Sequence, residues 1–330
     1  MTHTLPFVVR DARPGVDDAG AARAMTLANP GWPWTPALLQ AERDARDPSM
    51  YARDLLAEAD GEIVGVGTIA LDDFARAPGK YWTMLHVRPD WQRRGVGTHL
   101  LQELLRGANA HEPLRLVQGM RAEDQAGAEG FLNAHGFREV WRRYESRLQT
   151  RDLDFTPYAD VEARVRAHGT RILTYTQARA DFGEPLDRWL HALDEELFLD
   201  VPIGDTPTGK SFETWRAQEL HGPEFVPDAT FLAVQDGEDG GARGPLIGWS
   251  SLRANPGGFW VIGMTGVVRA HRSRGLALTL KLQGMRYAQA HGGGEIRTFN
   301  DAPNAAMLGM NDRLGFIRHT AHLRYARAFA

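Results

Sequence analysis

The sequence predicts a mixed α/β protein built as two tandem domains, each a sheet flanked by helices. Three observations carry that expectation. The first is a strand, a tight turn and a helix in the run from Tyr81 to Leu105. Tyr81, Thr83, Leu85 and Val87 alternate with Trp82, Met84 and His86 at the period of a strand. Pro89 ends the ladder, and Leu100, Leu101, Leu104 and Leu105 then fall on one face at helical spacing. The second is an echo of that run. Val267, Arg272, Gly275 and Ala277 stand 180 residues after Val87, Gln92, Gly95 and Gly97. The third is the pair His135-Gly136-Phe137 and Leu314-Gly315-Phe316, which keeps step at an offset of 179. Two unrelated turns would not stay in register over such a length, so the chain reads as two copies of one domain. The expected boundaries are 1–150 for the first copy, 151–168 for a linker and 169–330 for the second.

Taken in order, Phe7 to Arg10 reads as a strand and Asp17 to Leu27 as a helix. Prolines and a glycine make Asn29 to Pro36 a loop, and a helix follows from Ala37 to Asp47. Leu55 to Ala59, Asp60-Gly61 and Glu62 to Ile69 form a hairpin, since Asp-Gly is a favoured two-residue turn. Beyond the opening run come a strand at Leu114 to Gln118, a helix at Ala126 to His135 and a closing pair of strand segments at Phe137 to Leu148. The join, Gln149 to Ala167, ends in a short helix. The second copy repeats the order. Its strand Thr170 to Tyr175 and helix Pro185 to Leu199 precede a hairpin of Phe231 to Gln235 with Leu246 to Leu252, over the loop Asp236 to Gly244. Phe259 to Val268 is the strand before the turn, Gly275 to His291 the helix, and Glu295 to Phe299 the next strand. A helix at Ala305 to Leu314 and a strand at Phe316 to Arg327 close the sheet.

The repeated turn is suited to an anion. Its glycines let the backbone fold closely round a ligand, and a helix begins there with free N–H groups pointing into the turn. Arg93 and Arg94 add positive charge.

Composition bounds the function. The chain has 330 residues, 43% hydrophobic and 24% charged, with a net charge of −4, which argues against broad binding to nucleic acid or an anionic membrane. It has no cysteine, so disulfides, thiolate metal sites and a cysteine nucleophile are excluded. The twelve histidines show no ligand-like spacing, and no metal is expected. Met1 to Pro6 lacks a basic segment followed by an apolar run, and no apolar stretch reaches membrane-spanning length, so a cytoplasmic protein is expected.

The order of strand, Gln/Arg-x-x-Gly-x-Gly/Ala turn, helix, strand, helix and Gly-Phe resembles the GCN5-related N-acetyltransferases (GNAT). The turn stands here as Gln92-Arg93-Arg94-Gly95-Val96-Gly97 and as Arg272-Ser273-Arg274-Gly275-Leu276-Ala277. The resemblance covers residues 5–149 and 169–328. It implies a mixed sheet in each domain whose two central strands splay apart to admit acetyl-CoA. It also implies that the pantetheine arm pairs with the backbone near Val87 or near Val267 and Val268, and that the pyrophosphate sits on the turn and helix start. Those are Gln92, Arg93, Arg94, Gly95, Val96, Gly97 and Thr98 in the first copy, and Arg272, Ser273, Arg274, Gly275, Leu276 and Ala277 in the second. Asn304 matches an Asn that faces the CoA arm in many relatives, with Gln125 at that place in the first copy. It is also a preferred helix N-cap residue, and both roles can hold. Asn300, which corresponds to Arg121, is a further candidate for that arm.

The chain departs from the family where protons are handled. The Tyr that many relatives place five residues before the Phe of Gly-Phe is Leu132 in one copy and Asn311 in the other. The strands Tyr81 to Val87 and Phe259 to Val268 carry no carboxylate, and the nearest later ones are Glu123 and Glu295. His86, Tyr144, Tyr287 and Tyr325 are weaker candidates, and no catalytic residue is assigned. The expected reaction is acetyl transfer from acetyl-CoA to an amine of a small molecule or peptide by direct attack, with proximity supplying much of the rate. The alternatives are a non-catalytic acyl-CoA-binding or sensor protein, or one catalytic and one structural domain. A monomeric pseudo-dimer or a homodimer fits either.

A competing motif remains. Gly204 to Ser211 satisfies the G-x-x-x-x-G-K-[ST] pattern of a nucleotide-binding P-loop, but Leu190, Leu193 and Leu197 before it follow helical spacing and Pro207 removes an N–H. The other expectation for this segment is a loop in which Ser211 caps a helix, and in which Asp205, Phe212 and Trp215 shape the acceptor pocket.

Overall fold

The computed structural model describes residues 6–125, 127–237 and 239–329. Contacts group the chain into two compact units, residues 1–142 with 321–330, and residues 143–320. The first unit begins with β1 (Val8–Asp11), α1 (Asp18–Ala28), α2 (Pro36–Asp44), β2 (Ala52–Ala59) and β3 (Glu62–Leu71). It continues through β4 (Lys80–Val87), α3 (Val96–His111), β5 (Leu116–Ala122), α4 (Ala128–Ala134) and the start of β6 (Arg138–Gln149). Asp60 and Gly61 take left-handed conformations (φ 51° and 78°) in the β2–β3 turn, as an Asp-Gly hairpin requires. One face of the sheet is covered by α1 and α2, whose Ala21, Ala22, Met25 and Leu39 pack on Leu56 and Val66. The other face takes α3, and it does so through glycines. A Cβ at Gly65 would lie 2.8 Å from Val96, and one at Gly67 2.9 Å from Leu104, so bare backbone lets the helix settle. The helix expected from Ala126 starts at Ala128; Ala126 itself lies outside the described residues, as do Met1 to Leu5 and Glu238.

The second unit opens with the remainder of β6, then α5 (Ala159–Ala167), β7 (Thr170–Thr174), α6 (Tyr175–Phe182), α7 (Pro185–Phe198) and α8 (Phe212–Leu220). β8 (Thr230–Gln235), β9 (Leu246–Ala254), β10 (Trp260–Val267), α9 (Leu276–Ala290), β11 (Glu295–Asp301), α10 (Ala305–Arg313) and β12 (Ile317–Ala328) complete the order. Leu197 of α7 packs 2.8 Å from where a Cβ of Gly266 would stand, which puts α7 on one face of the sheet. Leu282, Met285 and Ala288 of α9 and Leu314 after α10 meet Leu252, Ile262 and Ile296 on the other. α6 falls between the strand and the helix expected at Thr170 to Tyr175 and Pro185 to Leu199. Thr174 and Gln177 form a reciprocal capping box at its start, so the signal was present in the residues.

The sheets correct one expectation. Residues 137–148 do not close the first copy's sheet as a pair of segments. β6 is one strand, and its residues Arg143 to Gln149 run antiparallel to Asp301 to Glu295 in the second unit. The first unit's sheet is completed by His322 to Ala328 of β12, antiparallel to β5. The two closing strands follow the same Gly-Phe step, and a ladder is made of backbone groups, so either strand satisfies either edge. The segment expected as a linker also belongs to the second unit's packing. Glu162 of α5 holds Arg286 and Gln283 of α9, and Val165 lies in the core. Among the described residues no helix is long and apolar enough to cross a membrane.

Candidate active site

Both units open their sheets at the same place. β4 and β5 run parallel and pair only at Lys80–Leu116, Tyr81–Val117 and Trp82–Gln118; β10 and β11 pair only at Trp260–Ile296 and Val261–Arg297. Past those pairs each strand edge is left without its parallel partner. Turns of matching geometry follow. Arg93 (φ 61°) and Gly95 (φ 87°) in one unit correspond to Ser273 (φ 62°) and Gly275 (φ 86°) in the other. The left-handed Gly leads straight into α3 or α9, and neither cap position is filled by a side chain. The first helical N–H groups have no intrahelical partner, so each turn can hold a phosphate. The strand-end carbonyls are claimed in like fashion, Val87 by Gln92 (3.1 Å) and Val267 by Arg272 (2.8 Å).

The surroundings differ. Arg272 also pairs with Asp200, as does Arg269, and those hydrogen bonds hold the Asp200 carboxyl at about 2. Thus one expected phosphate ligand, Arg272, already carries a carboxylate. At Gly275 an added Cβ would meet Val161 of α5 at 2.5 Å, whereas at Gly95 it would meet only the His99 ring at 3.5 Å. Gly97 lies under Phe131 of α4, where a Cβ would come within 3.3 Å of the ring; packing alone therefore accounts for a small residue there. Arg93, Arg94, Ser273 and Arg274 are exposed, Val96 and Leu276 are buried, and Thr98 bonds His135 at 3.2 Å.

The strands before the turns differ too. β4 pairs with β3 without a break from Tyr81 to Val87, but β10 carries a bulge between Ile262 and Thr265, at the point where it leaves β11. A bulge takes backbone groups out of the ladder and re-aims them. A Cβ on Gly263 within it would stand 2.5 Å from Ser251 Oγ. Trp249, opposite Gly266, and Ser251 share the α7 face of β9, and there Ser251 Oγ is buried without a hydrogen-bond partner. Asp194 Oδ2 accepts from the Trp215 indole at 2.8 Å. Burial, with Glu219 nearby, pushes the Asp194 carboxyl up to about 7.

The model of the acetyltransferase (GNAT) family matches residues 21–137 and 186–316. The chain belongs to this family. Each GNAT match contains one of the two splayed strands and its turn. A mycothiol acetyltransferase of Thermomonospora curvata is 28% identical over 276 residues, 83% of this chain and 82% of that protein. The one from Actinosynnema mirum is 27% identical over 283 residues, 82% of each. Among solved structures, a tandem GNAT protein from the clavulanic acid biosynthesis pathway superposes with a TM-score of 0.73 at 20% identity, over 98% of both chains. A GCN5-related N-acetyltransferase from Sphaerobacter thermophilus gives 0.66 at 20% identity, over 98% of this chain and 97% of that one.

Residues at the usual proton-handling places of a GNAT domain are otherwise engaged here. Glu123 pairs with Arg142 (3.0 Å) and Glu295 with Arg297 (2.7 Å). Tyr325 is buried and accepts from Arg121 at 3.1 Å; Tyr287 stacks on His291, and Arg318 lies over Tyr144. Burial pulls the His86 imidazole down to about 4, so it is neutral at pH 7. Asn304 caps α10 through Met307 N–H (3.2 Å), and Gln125 bonds Ala122 N–H (3.1 Å).

Asn300 bonds Asn311 at 2.6 Å, and Asn311 in turn bonds the buried Lys281, whose ammonium burial pulls down to about 7. Neither Lys281 nor Asp194 stands out in the sequence, because each sits within a helical run whose charged residues read as solvent-facing.

The P-loop pattern does not fold as a nucleotide cradle. It follows the helix α7 rather than a buried strand, Lys210 is tied to Gln218 (2.6 Å), and Ser211 caps α8 through Thr214 N–H (3.1 Å). A P-loop needs its glycine-rich turn between a strand and a helix, so nucleotide binding there is dropped. Trp215 is core rather than pocket wall, at 3% exposure. Phe212 does line a depression of about 600 Å³, together with Asp187, Trp189 and Arg216.

Proposed function

We propose that the second unit transfers the acetyl group of acetyl-CoA to the amine of a small molecule, while the first keeps the cofactor turn without the chemistry. The observation that carries this reading is the β10 bulge at the splay, which β4 lacks. The free helix-start N–H groups and the opened strand edges fit acetyl-CoA, with Gly275 to Ala277 and Ser273 at the pyrophosphate, Val267 and Val268 along the pantetheine arm, and Asn300 and Asn304 across from it. In the first unit the corresponding set is Val87, Arg93, Arg94 and Gly95 to Thr98. The amine nitrogen bonds to the acetyl carbon, the carbon–sulfur bond breaks, and CoA leaves as a thiolate that takes up a proton while the ammonium product loses one. A backbone N–H freed at the bulge polarises the thioester carbonyl. Holding amine and thioester together supplies much of the rate. Relatives called mycothiol acetyltransferases support a small-molecule acceptor. We place the reaction in the cytoplasm, where acetyl-CoA is available.

Release of free thiol from acetyl-CoA, followed across a panel of amino sugars, amino acids, polyamines and short peptides, tests the reading. Turnover with a small amine is expected. Tight CoA binding with no turnover on any amine would favour an acyl-CoA-binding protein, which the engaged Glu123 and Glu295 and the absent Tyr also suit.

A further inference from the structure

Lys281 is 2% exposed, in the middle of α9 and on its sheet-facing side. Its ammonium bonds Asn311 Oδ1 and lies 5.5 Å from the centre of the Phe316 ring. Asn311, itself 1% exposed, passes its Nδ2 to Asn300 Oδ1 at 2.6 Å. Asn300 shares a strand face with Ile296, which packs on α9, and lies three residues beyond Arg297, the last β11 residue paired with β10. Its side chain therefore stands at the opening between the two strands.

The first unit holds different residues at two of these places. Positions equivalent to Lys281 and Asn311, by the repeat offsets of 180 and 179, are Leu101 and Leu132. Leu101 is 1% exposed. A buried ammonium costs free energy that a leucine does not. The fold thus tolerates an apolar pair here, and the second unit carries a polar one.

Hydrogen-bond chemistry says what that polar pair accomplishes. Lys281 Nζ donates to Asn311 Oδ1, so the oxygen of Asn311 faces it. The nitrogen of Asn311 must then face Asn300, and Asn300 must offer its oxygen in return. That leaves Nδ2 of Asn300 as the group turned toward the opening. We infer that Lys281 is a positioning residue of the second unit: through Asn311 it fixes the polarity of two side-chain amides, so that Asn300 presents N–H donors to a carbonyl of the acyl-CoA arm. The inference rests on the proposed transferase reading of this unit.

Two variants test it by kinetics. Asn311→Asp keeps the volume and gives Lys281 an anionic partner. A carboxylate has no N–H, however, so Asn300 must donate to it and turn its oxygen to the opening. Lys281→Leu combined with Asn311→Leu installs the first unit's pair and frees Asn300 to take either orientation. Both variants are expected to fold, the double one with a raised Tm. Each should lose about tenfold or more in kcat/KM for acetyl-CoA, the loss of one oriented hydrogen bond to the cofactor arm, with a smaller change in KM for the amine. A merely structural polar pair would instead leave kcat/KM for acetyl-CoA within about twofold of the parent while Tm moved, and that result would overturn the inference. The parent protein in the same assay reports on the transferase reading separately. If it turns over while the variants match it, only the role of Lys281 falls; if it shows no turnover on any amine, the transferase reading falls and takes this inference with it.

Discussion

Asp194 shows how a single residue in this molecule can be tested by pH alone. Its carboxyl is buried against the indole N–H of Trp215 with Glu219 nearby, and burial first, then that charge, raises it to about 7 against an ordinary 3.8. A raised carboxyl holds its proton longer in the folded state than in the unfolded one. Stability therefore falls as pH rises from about 4 to about 7 and levels off above that. Asn at this position keeps an acceptor for Trp215 and has nothing to ionise. Asp194→Asn should be more stable than the parent by about 1–3 kcal/mol at pH 8, with the advantage fading toward pH 4 in urea titrations. An advantage independent of pH would show that the carboxyl titrates normally. The repeated turn was legible at this scale because left-handed φ and a following helix restrict residue choice to something like Gln92 to Gly97. Lys281 and Asp194 were not. A lone charged residue in a helical run usually faces water, and only the packed neighbours reveal that these do not.

At the scale of elements, strands before turns and helices after them followed from periodicity, and the Asp60-Gly61 hairpin from its turn residues. The partner of each closing strand did not. Alternation marks a strand and its buried face, but β6 and β12 carry similar patterns after the same Gly-Phe step, and register with β5 or β11 depends on contacts distant in sequence. The exchange makes residues near the end of the chain part of the first unit's core, with Leu323 and Tyr325 each 2% exposed. Tyr325→Ala should cost about 3–5 kcal/mol. Hydrogen exchange should show the loss of protection on Leu116 to Ala122 of β5, which pairs with that strand, and little change on β8 or β9. Loss of protection confined to Glu295 to Asp301 would contradict the pairing. α5 is a further case where spacing identified a helix but not its place: the half-buried Glu162–Arg286 pair joins it to α9.

For the molecule as a whole, duplication gave two GNAT domains, and the copies differ in ways that support the proposed division of roles. The second has the bulged β10 and the Lys281–Asn311–Asn300 series; the first has an unbroken β4 and a Leu101 and Leu132 pair. The turns allow the copies to be tested one at a time. Arg93 and Ser273 are exposed and already sit at φ near +60° without being glycine. Glutamate at either should repel a pyrophosphate with little cost in folding, which Gly275→Glu, facing Val161, would not achieve. The most direct measurement is the initial rate of thiol release from acetyl-CoA with an amine that supports turnover, compared between Arg93→Glu and Ser273→Glu. Ser273→Glu is expected to lower kcat/KM for acetyl-CoA by about tenfold or more while Arg93→Glu stays near the parent. The opposite order, or equal rates in both variants, would contradict it.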